Sequence, residues 1–117
     1  MDPAHRLPFA TIVVKDYGEY DNQSQLDRPG VYRLNIGVGR DAFRQLFGYV
    51  PGEEPPPGTQ YDYAALDRLM PHPLYAPQAY VCVLNPGAAT FEAVKPLLAT
   101  AYQNDVTRYQ RRQAQPE

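Results

Sequence analysis

The stretch Gly30–Gly48, GVYRLNIGVGRDAFRQLFG, decides the fold, because the hydrophobic period changes inside it. Val31, Arg33, Asn35 and Gly37 alternate with Tyr32, Leu34, Ile36 and Val38, which is the two-residue rhythm of a strand with one wet and one buried face. On that reading Tyr32, Leu34, Ile36 and Val38 pack inward and Arg33 faces water. After Gly39 the rhythm becomes helical: Ala42, Phe43, Leu46 and Phe47 fall on one side of a short helix that Gly48 ends. Strand and helix can then share one core. Gly37 and Gly39, on either side of Val38, predict a bend or the close approach of another backbone. The same G-V-G-R run lacks the third glycine and the spacing of a dinucleotide site, so it reads as a tight turn into the helix.

Upstream, FATIVVK over Phe9–Lys15 is rich in β-branched residues and predicts a first strand with Ala10, Ile12 and Val14 on one face. Residues 1–8 form a short extended lead-in bounded by Pro3 and Pro8. Between the two strands, Asp16–Pro29 is a long polar connector, the kind of segment that in compact domains is often functional or mobile.

Downstream, PGEEPPPG can hold neither ladder nor helix and reads as a stiff surface loop. Tyr61–Met70 predicts a second short helix, capped by Asp62, with Tyr63, Leu66, Leu69 and Met70 at helical spacing and Pro71 as its end. In MPHPLYAP, His72 stands between two prolines on an extended backbone. Gln78–Leu84, QAYVCVL, is the next strand, Asn85-Pro86-Gly87 a turn, and Thr90 the start of the longest helix, where Pro96 should either bend the helix or delay its real start. After Val106 that helix is expected to fray, leaving 107–117 as a mobile tail. The elements amount to one α+β domain over 1–117: a small antiparallel sheet of about three strands with helices packed on one face.

A chain of 117 residues is the size of one domain and hides roughly two-thirds of its unfolded surface. Ten tyrosines with no tryptophan lean towards a core with polar edges or a groove, since tyrosine fills space while keeping a hydroxyl to bond. A formal charge of −2 argues against general attraction for nucleic acid or anionic membranes. Cys82, the only cysteine, excludes an intramolecular disulfide and reads as a small buried hydrophobe. No stretch approaches membrane-spanning length, so no membrane partner is expected, and a reducing cytoplasm is the default location.

Four stretches, PFATIVVKDY, RPGVYRLNIGVGRDAFRQLFG, YDYAALDRLMPHPLYAPQAYVCVLNPG and FEAVKPLLATAY, together resemble the uncharacterised bacterial family called domain of unknown function 6194. The proline-flanked histidine, the strand ending in N-P and the closing helix are also similar to the broader YjbR or MmcQ group. The first resemblance implies no activity. The second implies a YjbR-like, double-wing α+β fold, with DNA binding suggested by shape alone. Relatives of the first family carry a further helix and strand ahead of a segment like DPAHRLPFA, and a truncated start would leave an edge that a homodimer could cover.

Three functional readings follow. The preferred one is a small binding or interaction domain whose contact surface uses His72, Tyr75, Tyr32, Asn35 and Tyr80, motivated by the tyrosine excess and the rigid PHPLYAP loop. The runner-up is nucleic-acid binding through Arg33, Arg40 and Arg44, helped by Arg68 and the tail arginines Arg108, Arg111 and Arg112, with acidic neighbours such as Asp41 competing. The third is an enzyme with His72 as acid or base, which needs a carboxylate or a tyrosine within hydrogen-bond reach; Asp16, Asp62, Asp67 and several tyrosine hydroxyls are the candidates. No catalytic set, cofactor or metal site is assigned, because His5 and His72 share no ligand spacing.

Overall fold

The computed structural model describes residues 8–114, so most of the expected lead-in and the end of the expected tail lie outside the described residues. In chain order the elements are β1 (Ala10–Val13), β2 (Arg33–Gly37), α1 (Arg40–Phe47), β3 (Met70–Pro71), a 3-10 turn at Ala76–Gln78, β4 (Tyr80–Leu84) and α2 (Ala88–Ala114). The four strands form one antiparallel sheet in the spatial order β1-β2-β4-β3. The fold is therefore α+β with a small antiparallel sheet, one strand larger than expected.

Alternation sorts the side chains of β2 and β4 onto two faces. Leu34 and Ile36 join Val81 and Val83 on the face covered by the helices, where Phe43 of α1 and Val94 and Ala101 of α2 complete the main core. Val38, just past β2, is buried with them, whereas Tyr32 is only half buried. Leu46 on α1 stays exposed, so that helix buries a narrower stripe than its sequence suggests. At the β1 edge Phe9 meets Tyr102 of α2 edge-on at 5.6 Å, while Ile12 and Val14 are exposed.

The opposite face is not wet, and this overturns the placement of Arg33 in water. Arg33 and Asn35 are buried, at 1% and 6% exposure, beside a second cluster of Leu26, Met70, Cys82 and Leu84. What covers them is the Asp16–Pro29 connector. It turns back on itself through a Tyr17–Asp21 bridge and drives Leu26 into the sheet. The carboxylate of Asp16 accepts the Leu26 amide at 2.8 Å, while Arg28 ties the connector to the backbone of Ser24, Gln25 and Ala64.

The helix expected over Tyr61–Met70 does not form. Turns occupy the segment, the Asp62 carboxylate accepts the Ala64 amide, and Asp67 adopts a positive φ of 60 that breaks any helical run. Met70 and Pro71 instead pair with Cys82 and Val81 as a short edge strand, a place where the missing proline amide costs no ladder bond. Burial of Met70 against Cys82 and Leu84 outweighs the helical spacing. The long helix starts at Ala88 rather than Thr90, keeps Pro96 inside it, and runs past Val106 to Ala114. Asp67 accepts the Gly87 amide at 2.7 Å, next to the first turn of α2, where a negative charge suits the helix dipole.

Candidate functional site

Between the connector and the second sheet face lies a cleft of about 350 Å³. Its floor comes from adjacent strands: Thr11 pairs with Asn35 and Val13 with Arg33, so these four project together. The β4 end of the same face contributes Tyr80, opposite Gly37, and the loop after β3 adds His72 and Tyr75. Tyr17, Tyr20 and Asp21 descend from the connector. Gly37 is required: a Cβ there would stand 2.8 Å from Cζ of Tyr80, whose ring lies over the bare backbone. The Tyr80 hydroxyl donates to the Pro8 carbonyl.

The floor is a closed polar network. Arg33 donates from Nη1 and Nη2 to Oδ1 and Oδ2 of Asp21 at 2.9 and 2.6 Å, from Nη1 to Ser24 Oγ at 3.1 Å, and from Nε to Asn35 Oδ1 at 2.9 Å. Asn35 passes the chain on to Thr11 Oγ1 at 3.1 Å. The hydrogen bonds from Arg33 hold the Asp21 carboxyl below its usual range, against the opposing effect of burial. A bidentate pair of this kind is specific in geometry, and both charges are spent on each other.

His72 forms another part of the wall. Its ring is 1% exposed, and Nδ1 accepts the amides of Leu74 and Tyr75, both at 3.0 Å. Burial, and then the nearby Arg33 charge, push its pKa down to about 4, so the imidazole is neutral at physiological pH. Nε2 is buried and has no hydrogen-bond partner among the described residues. The rings of His72 and Tyr75 lie 5.0 Å apart, those of Tyr75 and Tyr80 6.3 Å apart, and the Tyr20 and Tyr75 hydroxyls share a hydrogen bond of 2.6 Å across the mouth. Tyr75 is held protonated by that bond and Tyr80 by burial. A second cavity, of about 310 Å³, also touches His72 and runs under the proline-rich loop past Tyr49, Tyr61 and Tyr63.

Four of the five residues expected to form a contact surface, Asn35, His72, Tyr75 and Tyr80, meet in the first cleft. Tyr32 does not, since its place in the alternation is with Leu34 and Ile36, away from Asn35. Reasoning from sequence missed Asp21, Tyr17 and Tyr20, because nothing local says that the connector folds over the sheet. The arginine set is divided: Arg40 and Arg44 are exposed on α1, whereas Arg33 is sealed in its ion pair. The carboxylates proposed to partner His72 lie elsewhere: Asp16 serves Leu26, Asp62 serves Ala64, and Asp67 serves Gly87. Among the described residues no three His, Cys, Asp or Glu side chains are grouped to hold a metal ion, and no helix is long and apolar enough to cross a membrane.

Fold and cleft together define a small α+β domain with a tyrosine-walled cavity on the sheet face opposite its helices. The chain belongs to DUF6194, a family of unknown function whose model matches residues 1–114. No curated protein and no solved structure matched the chain.

Proposed function

We propose that this domain binds a small molecule in the cleft between the Asp16–Pro29 connector and the sheet. The observation that carries the reading is the cleft's construction: four tyrosines, Tyr17, Tyr20, Tyr75 and Tyr80, stand around a floor whose charges are already paired. Concave, largely aromatic sites with a few fixed polar groups are where proteins hold small ligands, and about 350 Å³ lies at the lower end of their range. Catalysis by His72 is disfavoured. Its Nδ1 is occupied by two amides, and Asp21, the carboxylate of the cleft, is bonded to Arg33. Nucleic-acid binding of the YjbR type loses Arg33 to its ion pair with Asp21, and we do not adopt it.

Screening the full chain against a fragment library by two-dimensional NMR tests the proposal. Hits should shift resonances of Tyr17, Tyr20, Tyr75 and Tyr80 together. Tyr20→Ala, at an exposed residue on the rim, should weaken them about tenfold while leaving the thermal midpoint nearly unchanged. Hits that cluster elsewhere, or none at millimolar concentration, would reject it.

A further inference from the structure

We infer that the cleft takes a flat, uncharged, hydrocarbon-like molecule of two rings, held by the burial of carbon against tyrosine rather than by hydrogen bonds or charge. The inference rests on the cleft being a binding site and adds the chemistry of its occupant.

The polar groups of the floor and mouth are bonded to one another. Both carboxylate oxygens of Asp21 accept from Arg33, and Asn35 accepts from Arg33 and donates to Thr11. The Tyr20 and Tyr75 hydroxyls share their hydrogen bond, and the Tyr80 hydroxyl donates to the Pro8 carbonyl. His72 has Nδ1 occupied by two amides, and its Nε2 has no open surface. What remains for a ligand to touch is carbon, which makes up most of the cavity's open wall. A ligand that carried polar atoms inside would lose their hydration, and replacing it would mean breaking one of these bonds. Hydrocarbon gains by leaving water.

Charge is disfavoured in both signs. The Asp21 carboxylate is committed to the guanidinium of Arg33, so a cation finds no free counter-charge on the floor. It also meets Lys15, whose ammonium already lies 5.7 Å from the centre of the Tyr17 ring. An anion finds Arg33 buried in its ion pair, and Lys15 is exposed, where water weakens any ion pair it could offer. Size follows from the volume. A cavity of roughly 150 Å³ holds benzene, and this cleft, at about 350 Å³, has room for two fused rings. Tyr17 and Tyr20 are 54% and 64% exposed, so an occupant would cover ring surface that now faces water.

The test titrates four probes into the full chain: naphthalene, benzene, 2-naphthoate and 2-naphthylmethylammonium. Carbon-13 NMR of the tyrosine rings follows each one. Naphthalene should shift Tyr17, Tyr20, Tyr75 and Tyr80 together, with an affinity that added salt does not weaken. It should bind about tenfold more tightly than benzene, because its second ring buries further carbon, and about tenfold more tightly than either charged analogue, which must give up hydration. A charged analogue that bound at the same tyrosines as tightly as naphthalene, or more tightly, would overturn the neutral occupant. Benzene binding there as tightly as naphthalene would overturn the two-ring size. Either result would leave the cleft as a binding site. Shifts confined to Tyr49 and Tyr61, or no binding by any probe, would overturn both the inference and the site.

Discussion

Arg33 and His72 are the two side chains whose behaviour departs most from their ordinary chemistry, and in both the cause is burial on the second sheet face. Arg33 survives there because Asp21, Ser24 and Asn35 meet four of its hydrogen-bonding directions, and removal of one partner from a buried pair typically costs about 3–5 kcal/mol. For His72 the consequence is a pH dependence. The folded chain keeps the ring neutral down to about pH 4, whereas an unfolded chain protonates it near the ordinary value of 6.5. The stabilisation is therefore complete above about pH 6.5 and declines as the pH falls towards 4, because only the unfolded state takes up the proton. At about 1.4 kcal/mol per pH unit the loss is at most roughly 3 kcal/mol, and the depressed Asp21 adds to it only below its ordinary 3.8. Urea unfolding from pH 7 to pH 4.5 should show this decline in the wild type and a flatter profile in His72→Phe. Parallel profiles would mean that His72 is not the group responsible.

At the scale of the element, the Asp16–Pro29 connector acts as the cover of a second layer. Leu26 is its anchor, 1% exposed among Met70, Cys82 and Leu84. Leu26→Ala should cost about 2–5 kcal/mol in chemical denaturation and speed amide exchange over residues 16–29 before it affects β2 and β4. A loss under about 0.5 kcal/mol would show that the connector is held by its polar bonds instead. The alternation of β2 was legible in the sequence, and so was the helix after Gly39. The parity of the cleft was legible too, though the reading set Tyr32 beside Asn35 although the two alternate onto opposite faces. Tyr61–Met70 misled because helical spacing is only a local signal, and the pairing of Met70 with Cys82 is a contact between segments distant in the chain.

For the whole molecule, the two clusters make β4 a strand buried on both faces, with Val81, Cys82, Val83 and Leu84 all at 0% exposure. Burial pushes the Cys82 thiol up to about 12 and shields it from reagents, so alkylation has to wait for the sheet to open. Iodoacetamide labelling of Cys82 should accelerate with urea along the same slope as global unfolding. A rate that ignores urea would place the opening locally, at the two-residue edge strand β3.

By itself the sequence determined the α+β class, the strand at Leu34–Ile36, the buried character of Cys82 and the short helix ended by Gly48, because each is written in neighbouring residues as a period or a turn residue. Only the tertiary structure decided that Arg33 is dry, that Asp21 neutralises it, and that Tyr17 and Tyr20 stand across from Tyr75 and Tyr80. These outcomes depend on a polar connector folding back over a sheet, and no local pattern encodes which face such a segment will cover.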